Sequence, residues 1–190
     1  MKILNILKIA VLSLVFLQTE AQTDVPKGFT NGWIVLADGS RYTGLVKDNI
    51  RKNSSITFIT GSEKKKSYDG NELLAVEIEG AKFICIKGDF FKVHCEGELS
   101  FLQKSSDASG KVSYNGSEAI LSSGTYGNIN DYFIYNSNDK QLKLVSKKNV
   151  QELAATSFAD CTAAINKAKT INGDLSQIRG AVEEYNNRNK

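Results

Sequence analysis

The stretch Lys82-Phe83-Ile84-Cys85-Ile86-Lys87-Gly88-Asp89-Phe90-Phe91-Lys92-Val93-His94-Cys95 decides the fold. Two runs of aromatic and β-branched residues flank Gly88-Asp89, and such a pair between such runs signals a β-hairpin. With those two residues as the loop, Ile84, Ile86, Phe91, Val93 and Cys95 share one face, the expected core face. Phe83, Cys85, Lys87, Phe90, Lys92 and His94 share the other, because side chains alternate along a strand. This register sets Cys85 and Cys95 on opposite faces, against a bond between them, and a one-residue bulge reverses that.

Outward from this hairpin the pattern repeats. Residues 33–36 and 42–46 flank Asp38-Gly39, whose two residues tolerate positive φ and read as the loop of a second hairpin. That loop puts Trp33 opposite Gly44, where the ring can cover bare backbone. Residues 55–60 are rich in β-branched side chains. Leu74, Val76 and Ile78 recur at every second position, the mark of a half-buried strand. Downstream, residues 99–102 continue the sheet, and 132–135 pairs with 142–145 around Asn138-Asp139. Ser, Gly and Asn dominate residues 105–130. Short hairpins with tips at Ser109-Gly110 and Asn115-Gly116 are expected there, since structureless loops of that length are uncommon.

After residue 146 the period lengthens. Asn149 with Glu152 resembles a capping box opening a short helix through Leu153, and Ser157 with Asp160 opens the next. Phe158, Cys161, Ile165 and Ala168 recur at helical steps, which predicts a buried free thiol at Cys161. Asn172-Gly173 ends that helix. Asp174 with Gln177 caps a last one, with Leu175, Ile178, Val182 and Tyr185 inward and Gly180 allowing close approach to the sheet. The expectation is an α+β fold: an antiparallel, partly rolled sheet or barrel over residues 22–146, with a C-terminal helical segment, 147–190, packed on it.

Residues 1–21 read as a secretory signal peptide. Lys2 and Lys8 precede the apolar run 9–17, and a polar stretch then ends at the small residue Ala21. The run is too short for a bilayer, which needs about 20 apolar residues. An exported, soluble mature protein without stable membrane insertion is therefore expected.

Composition narrows the function classes. A net charge of +3 lacks the strong basic stripe of a nucleic-acid binder. Three cysteines in an exported chain leave at least one thiol free or bonded to another molecule. The one histidine, His94, shares a face with Cys85, the only nucleophile-base pair in reach. No third group orients the imidazole, so a solvent-facing histidine and a filler cysteine are the preferred reading. Glu77 with Glu79 and Glu96 with Glu98 alternate on strands, as glycosidase carboxylates do and as any solvated strand does. Lys64-Lys65-Lys66 reads as a solvated tip. Tyr114, Tyr126, Tyr132 and Tyr135 hint at a contact surface, though core packing of strand aromatics is preferred.

No catalytic, cofactor-binding or metal-binding residue is assigned, and no cofactor is expected. The leading expectation is a non-enzymatic cell-envelope binding or structural module whose partner is an envelope protein or surface polymer. A thiol enzyme using Cys85 and His94, and a carrier of an apolar ligand inside a rolled sheet, are the alternatives.

Several short motifs, taken in order, resemble an uncharacterised family of exported β-rich proteins common in Bacteroidota. They are residues 32–44 after a signal peptide, Phe58, Tyr68 after a lysine-rich turn, Phe90 to Val93, Gly97 with Leu99, and residues 132–134. Asp160-Cys161 and Tyr185-Asn186 complete the series. The resemblance implies a secreted β-plus-helix protein and brings no activity or site.

Overall fold

Apolar side chains at every second position have one stable use here, which is to line a sheet. The computed structural model describes residues 25–61, 64–115 and 118–188. The expected signal peptide lies outside them. The strands are β1 (Thr30–Leu36), β2 (Arg41–Asn49), β3 (Ser55–Ile59), β4 (Lys66–Asp69), β5 (Leu73–Ile78), β6 (Ala81–Ile86), β7 (Asp89–Cys95), β8 (Leu99–Lys104), β9 (Val112–Asn115), β10 (Glu118–Leu121), β11 (Tyr132–Asn136) and β12 (Gln141–Val145). The helices are α1 (Ile50–Asn53), α2 (Val150–Ser157), α3 (Thr162–Lys169) and α4 (Ile178–Asn186), with a 3₁₀ turn, Leu175–Gln177, leading into α4.

Ten strands form one antiparallel sheet in the order β12-β11-β8-β7-β6-β5-β1-β2-β3-β4, and β9 with β10 forms a separate hairpin. The fold is α+β as expected. The sheet rolls but does not close: β12 and β4 remain edges, so the barrel alternative is corrected. The N-terminal half curls until Gly70, just after β4, bridges Gly88 in the turn between β6 and β7. A Cβ on Gly70 would lie 2.2 Å from the Gly88 carbonyl oxygen, so only glycine permits this crossing.

Ile34, Val46, Ile56, Val76 and Phe90 fill the inside of the roll. Farther along the same face, Leu99, Phe101 and Ile134 pack under Phe158, Ile178 and Val182 of the helical segment. The opposite face carries a smaller cluster around Phe91, Leu102 and Phe133. The larger core therefore lies on the Phe83, Cys85 and Phe90 face, not on the face of Ile84 and Ile86.

Both hairpin registers differ from the sequence reading. Leu36 N–H donates to the Ser40 carbonyl and Gly39 N–H to the Leu36 carbonyl, so the first loop has three residues, with Gly39 left-handed at φ 87°. Gly32, not Trp33, then faces Gly44. In the central hairpin Ile86 pairs with Asp89, so the turn is Lys87-Gly88, at φ 51° and 87°. The reason is tertiary: Asp89 belongs to the strand because its carboxylate is buried among partners. Of the two hairpins expected in the Ser/Gly-rich stretch, one exists as β9 and β10, where Asn115 pairs with Glu118 around a tip outside the described residues, while Ser109-Gly110 lies in a turn between β8 and β9 rather than at a hairpin tip.

The helix starts also shift. Asn149 forms no capping box. Its side chain accepts from Ser146 and donates to the Leu144 carbonyl instead, and α2 runs on through Ser157. Cys161, rather than Ser157, is the N-cap of α3. It is a buried free thiol, as expected. Gly180 faces α3, where its Cβ would touch the Lys167 chain, so it serves a helix-helix contact and not the sheet.

Candidate binding groove

The most heavily built polar feature joins the start of β7 to the end of β8. Lys104 Nζ lies 3.1 Å from Asp89 Oδ2, and both side chains are fully buried. A lysine ammonium has three donors. Two of them go to the carbonyls of Thr125, at 2.7 Å, and Gly127, at 3.1 Å. Asp89 stands beside them as the counter-ion. The carboxylate in turn accepts from Ala108 N–H at 2.6 Å, Thr125 N–H at 2.7 Å and Thr125 Oγ1 at 2.6 Å. A buried ion pair is tolerated when such bonds replace its lost hydration.

This network orders the Ser/Gly-rich connection between β8 and β11. Ser106 accepts from Phe90 N–H, and Asn71 donates to Ser122 at 2.6 Å. Above all it fixes Tyr126, since the residues on both sides of that tyrosine are held by Lys104. The Tyr126 ring meets Phe133 edge-on at 5.6 Å, yet the residue is 56% exposed.

Tyr126 also treats the sheet edge. Its hydroxyl donates to the Leu142 carbonyl and accepts from Leu144 N–H on the outer side of β12. Asn149 Nδ2 covers the Leu144 carbonyl at 2.8 Å. Side chains thus occupy outward backbone groups that would otherwise invite another strand.

Two hollows lie along this sealed edge, one of about 360 Å³ beside Tyr126 and one of about 280 Å³ toward α3. They share Lys143 and Thr156, so they form one groove between β12 and α2. Asn136, Asp139 and Gln141 stand on the sheet side, Glu152 and Asp160 on the helix side, and Leu99 and Ile134 line its base.

The far end of the groove is closed by the C-terminal segment. Asn186 accepts from Leu99 N–H at 3.1 Å and donates to the Leu99 carbonyl at 2.8 Å. Arg188 bridges Glu98 at 2.9 Å and Asp160 at 3.0 Å. The Tyr185 hydroxyl donates to Glu98, and burial together with that carboxylate pushes its phenol up to about 12. Gly97, Leu99, Asp160, Tyr185 and Asn186, scattered in the sequence, meet here.

The Cys85 and His94 pair does not assemble. Cys85 faces Phe90, and His94 lies four residues further along β7, about 13 Å at 3.3 Å per residue. Burial, with Asp69 and Asp89 nearby, pushes the Cys85 thiol far up. His94 bonds Gln103 at 3.2 Å, lies against Phe101 and Tyr132, and is held below its usual range mainly by burial. A bulge at His94 in the pairing with β8 turns Cys95 to the face of Cys85, yet the cysteines stay free.

The carboxylate pairs also separate. Glu77 accepts from the Trp33 indole at 2.9 Å, while Glu79 sits in a turn at φ 52°. Glu96 pairs with Lys82, and Glu98 with Arg188. Lys64, Lys65 and Lys66 are exposed, with Lys65 over Phe29 and Lys66 over Tyr68. Tyr132 stacks on Phe101 and Tyr135 packs at the Phe91 cluster, while the Tyr114 side chain lies outside the described ones. Among the described residues no group of three or more His, Cys, Asp and Glu is placed to hold a metal ion.

The sequence pattern singles out Tyr126 but not Asp89, Lys104 or the groove. An aspartate beside a turn and a lysine at a strand end carry no local mark of burial. No family model, no curated protein and no solved structure matches this chain.

Proposed function

We propose that this chain is exported and acts outside the cytoplasm as a non-enzymatic binding module of the cell envelope. The observation that carries the reading is the groove beside Tyr126, where an aromatic ring and hydrogen-bonding side chains line one channel. The separation of Cys85 from His94 favours binding over thiol chemistry. The roll interior is filled by side chains such as Phe58 and Phe90, which favours a surface groove over an internal carrier. Export rests on the opening of the chain, from Lys2 to Ala21. Among the described residues no helix is long and apolar enough to cross a membrane.

The test is retention of the purified mature protein on the insoluble envelope fraction of its own cells. The wild type is expected to co-sediment, and Thr156→Arg, which blocks the junction of the two hollows, to stay in solution. Equal retention of the blocked variant removes the groove from the proposal. Mass spectrometry of the exported protein is expected to place its first residue at Gln22, and an intact N-terminus on the protein recovered from its cells argues against export.

A further inference from the structure

We infer, building on that reading, that the groove takes an uncharged glycan chain, with the Tyr126 ring as its stacking platform. Asp89 and Lys104 act as positioning residues for that platform. Lys104 holds the carbonyls on both sides of Tyr126, and Asp89 holds the amide and hydroxyl of Thr125. The phenol oxygen is committed to β12 backbone, so what Tyr126 offers a ligand is its ring. An aromatic that is half exposed yet fixed at both flanks has met its ordering cost during folding, which is the condition for a preorganised contact.

The apolar face of a pyranose packs on such a ring, while its hydroxyls donate and accept at once. The groove answers both halves of that chemistry. Asn136 and Gln141 supply carboxamides, which donate and accept, and Asp139 and Glu152 supply acceptors. Two hollows in line suit a chain of several units better than a single sugar. Charge disfavours a polyanion: Lys143 is set among Asp139, Glu152 and Asp160. A peptide added as a strand is disfavoured too, because Tyr126 and Asn149 occupy the outer backbone groups of β12.

Two measurements test this. The first titrates the mature protein calorimetrically with maltohexaose, cellohexaose, laminarihexaose and chitohexaose. At least one is expected to bind. Tyr126→Phe, which keeps the ring, is expected to retain that binding, and Tyr126→Ala to weaken it about tenfold, the loss of roughly one aromatic contact. Gln141→Ala, at an exposed position, repeats the test where folding is not at stake. Binding unchanged in both alanine variants, or no binding to any of the four, overturns the inference.

The second repeats the envelope sedimentation after protease digestion or periodate oxidation of the envelope. Retention that survives protease and falls with periodate supports a glycan. Retention that survives periodate and falls with protease overturns the glycan assignment while leaving an envelope-binding module. Absence of retention on untreated envelope overturns both.

Discussion

Lys104 Nζ stands 3.1 Å from Asp89 Oδ2 in a place that solvent does not reach, and the same ammonium donates to the carbonyls of Thr125 and Gly127. The pair joins β7, β8 and the returning connection at one point. Removing either partner strands a buried charge, a loss of about 3–5 kcal/mol. Lys104→Met and Asp89→Ala are each expected to lower the urea midpoint accordingly. Amide exchange should accelerate first at Ala108 and Thr125, whose N–H groups point at Asp89. A cost under about 1 kcal/mol, as for a surface pair, contradicts the burial.

Gly32 faces Gly44 across β1 and β2. A Cβ on Gly32 would lie 2.1 Å from the Glu77 carbonyl oxygen, and one on Gly44 2.2 Å from that of Ile59. Backbone cannot yield as a flexible side chain does. Gly32→Ala and Gly44→Ala are each expected to destabilise by about 1–3 kcal/mol or more, measured by thermal unfolding. Gly39→Asn, in an open left-handed turn with nothing near its Cβ, is the control and is expected to change little.

The three thiols are expected to differ in reactivity. Cys85 and Cys95 are both half-buried with thiols raised mainly by burial, Cys85 far more than Cys95, and Cys161 is buried. A maleimide added to native protein should modify Cys95 first, while Cys85 and Cys161 wait for unfolding. Peptide mapping of early samples reads this directly. Rapid labelling at Cys161 contradicts the packing of Phe158 and Ala164 around it.

His94 links stability to acidity. Burial, the largest influence, lowers its pKa below the unfolded value of about 6.5, so the folded state prefers the neutral ring. Its contribution is fully present above the unfolded pKa and is lost as pH falls through the folded one. Stability of the wild type should decline on acidification through this range, and His94→Gln should make the decline shallower. Identical pH profiles for the two proteins count against the assignment.

Alternation located β1, β5, β6, β7, β11 and β12, because a strand's own side chains carry the period, but not always their covered face: Leu74, expected on the inner row of β5, is exposed, and the main core takes Phe83 and Phe90 rather than Ile84 and Ile86. It did not place the hairpin registers. Asp38-Gly39 and Gly88-Asp89 each satisfy local turn chemistry in more than one way, and a shift of a single residue depends on what the neighbouring strands require. The helical stripe of Ile178, Val182 and Tyr185 was legible for the same local reason, whereas Asn149 and Ser157 looked like caps because tertiary partners of an asparagine or serine leave no trace nearby.

Residue order along this chain settles an antiparallel sheet followed by helices, a buried thiol at Cys161 and a glycine-rich connection, since each follows from neighbours a few positions apart. The open roll, the sealed β12 edge, the groove and the fixed Tyr126 belong to another level. They rest on pairs such as Asp89 with Thr125 or Leu99 with Asn186, separated by 36 and 87 residues. Such contacts exist only once the chain has closed on itself, because burial and charge pairing depend on distance in space and not on spacing along the backbone.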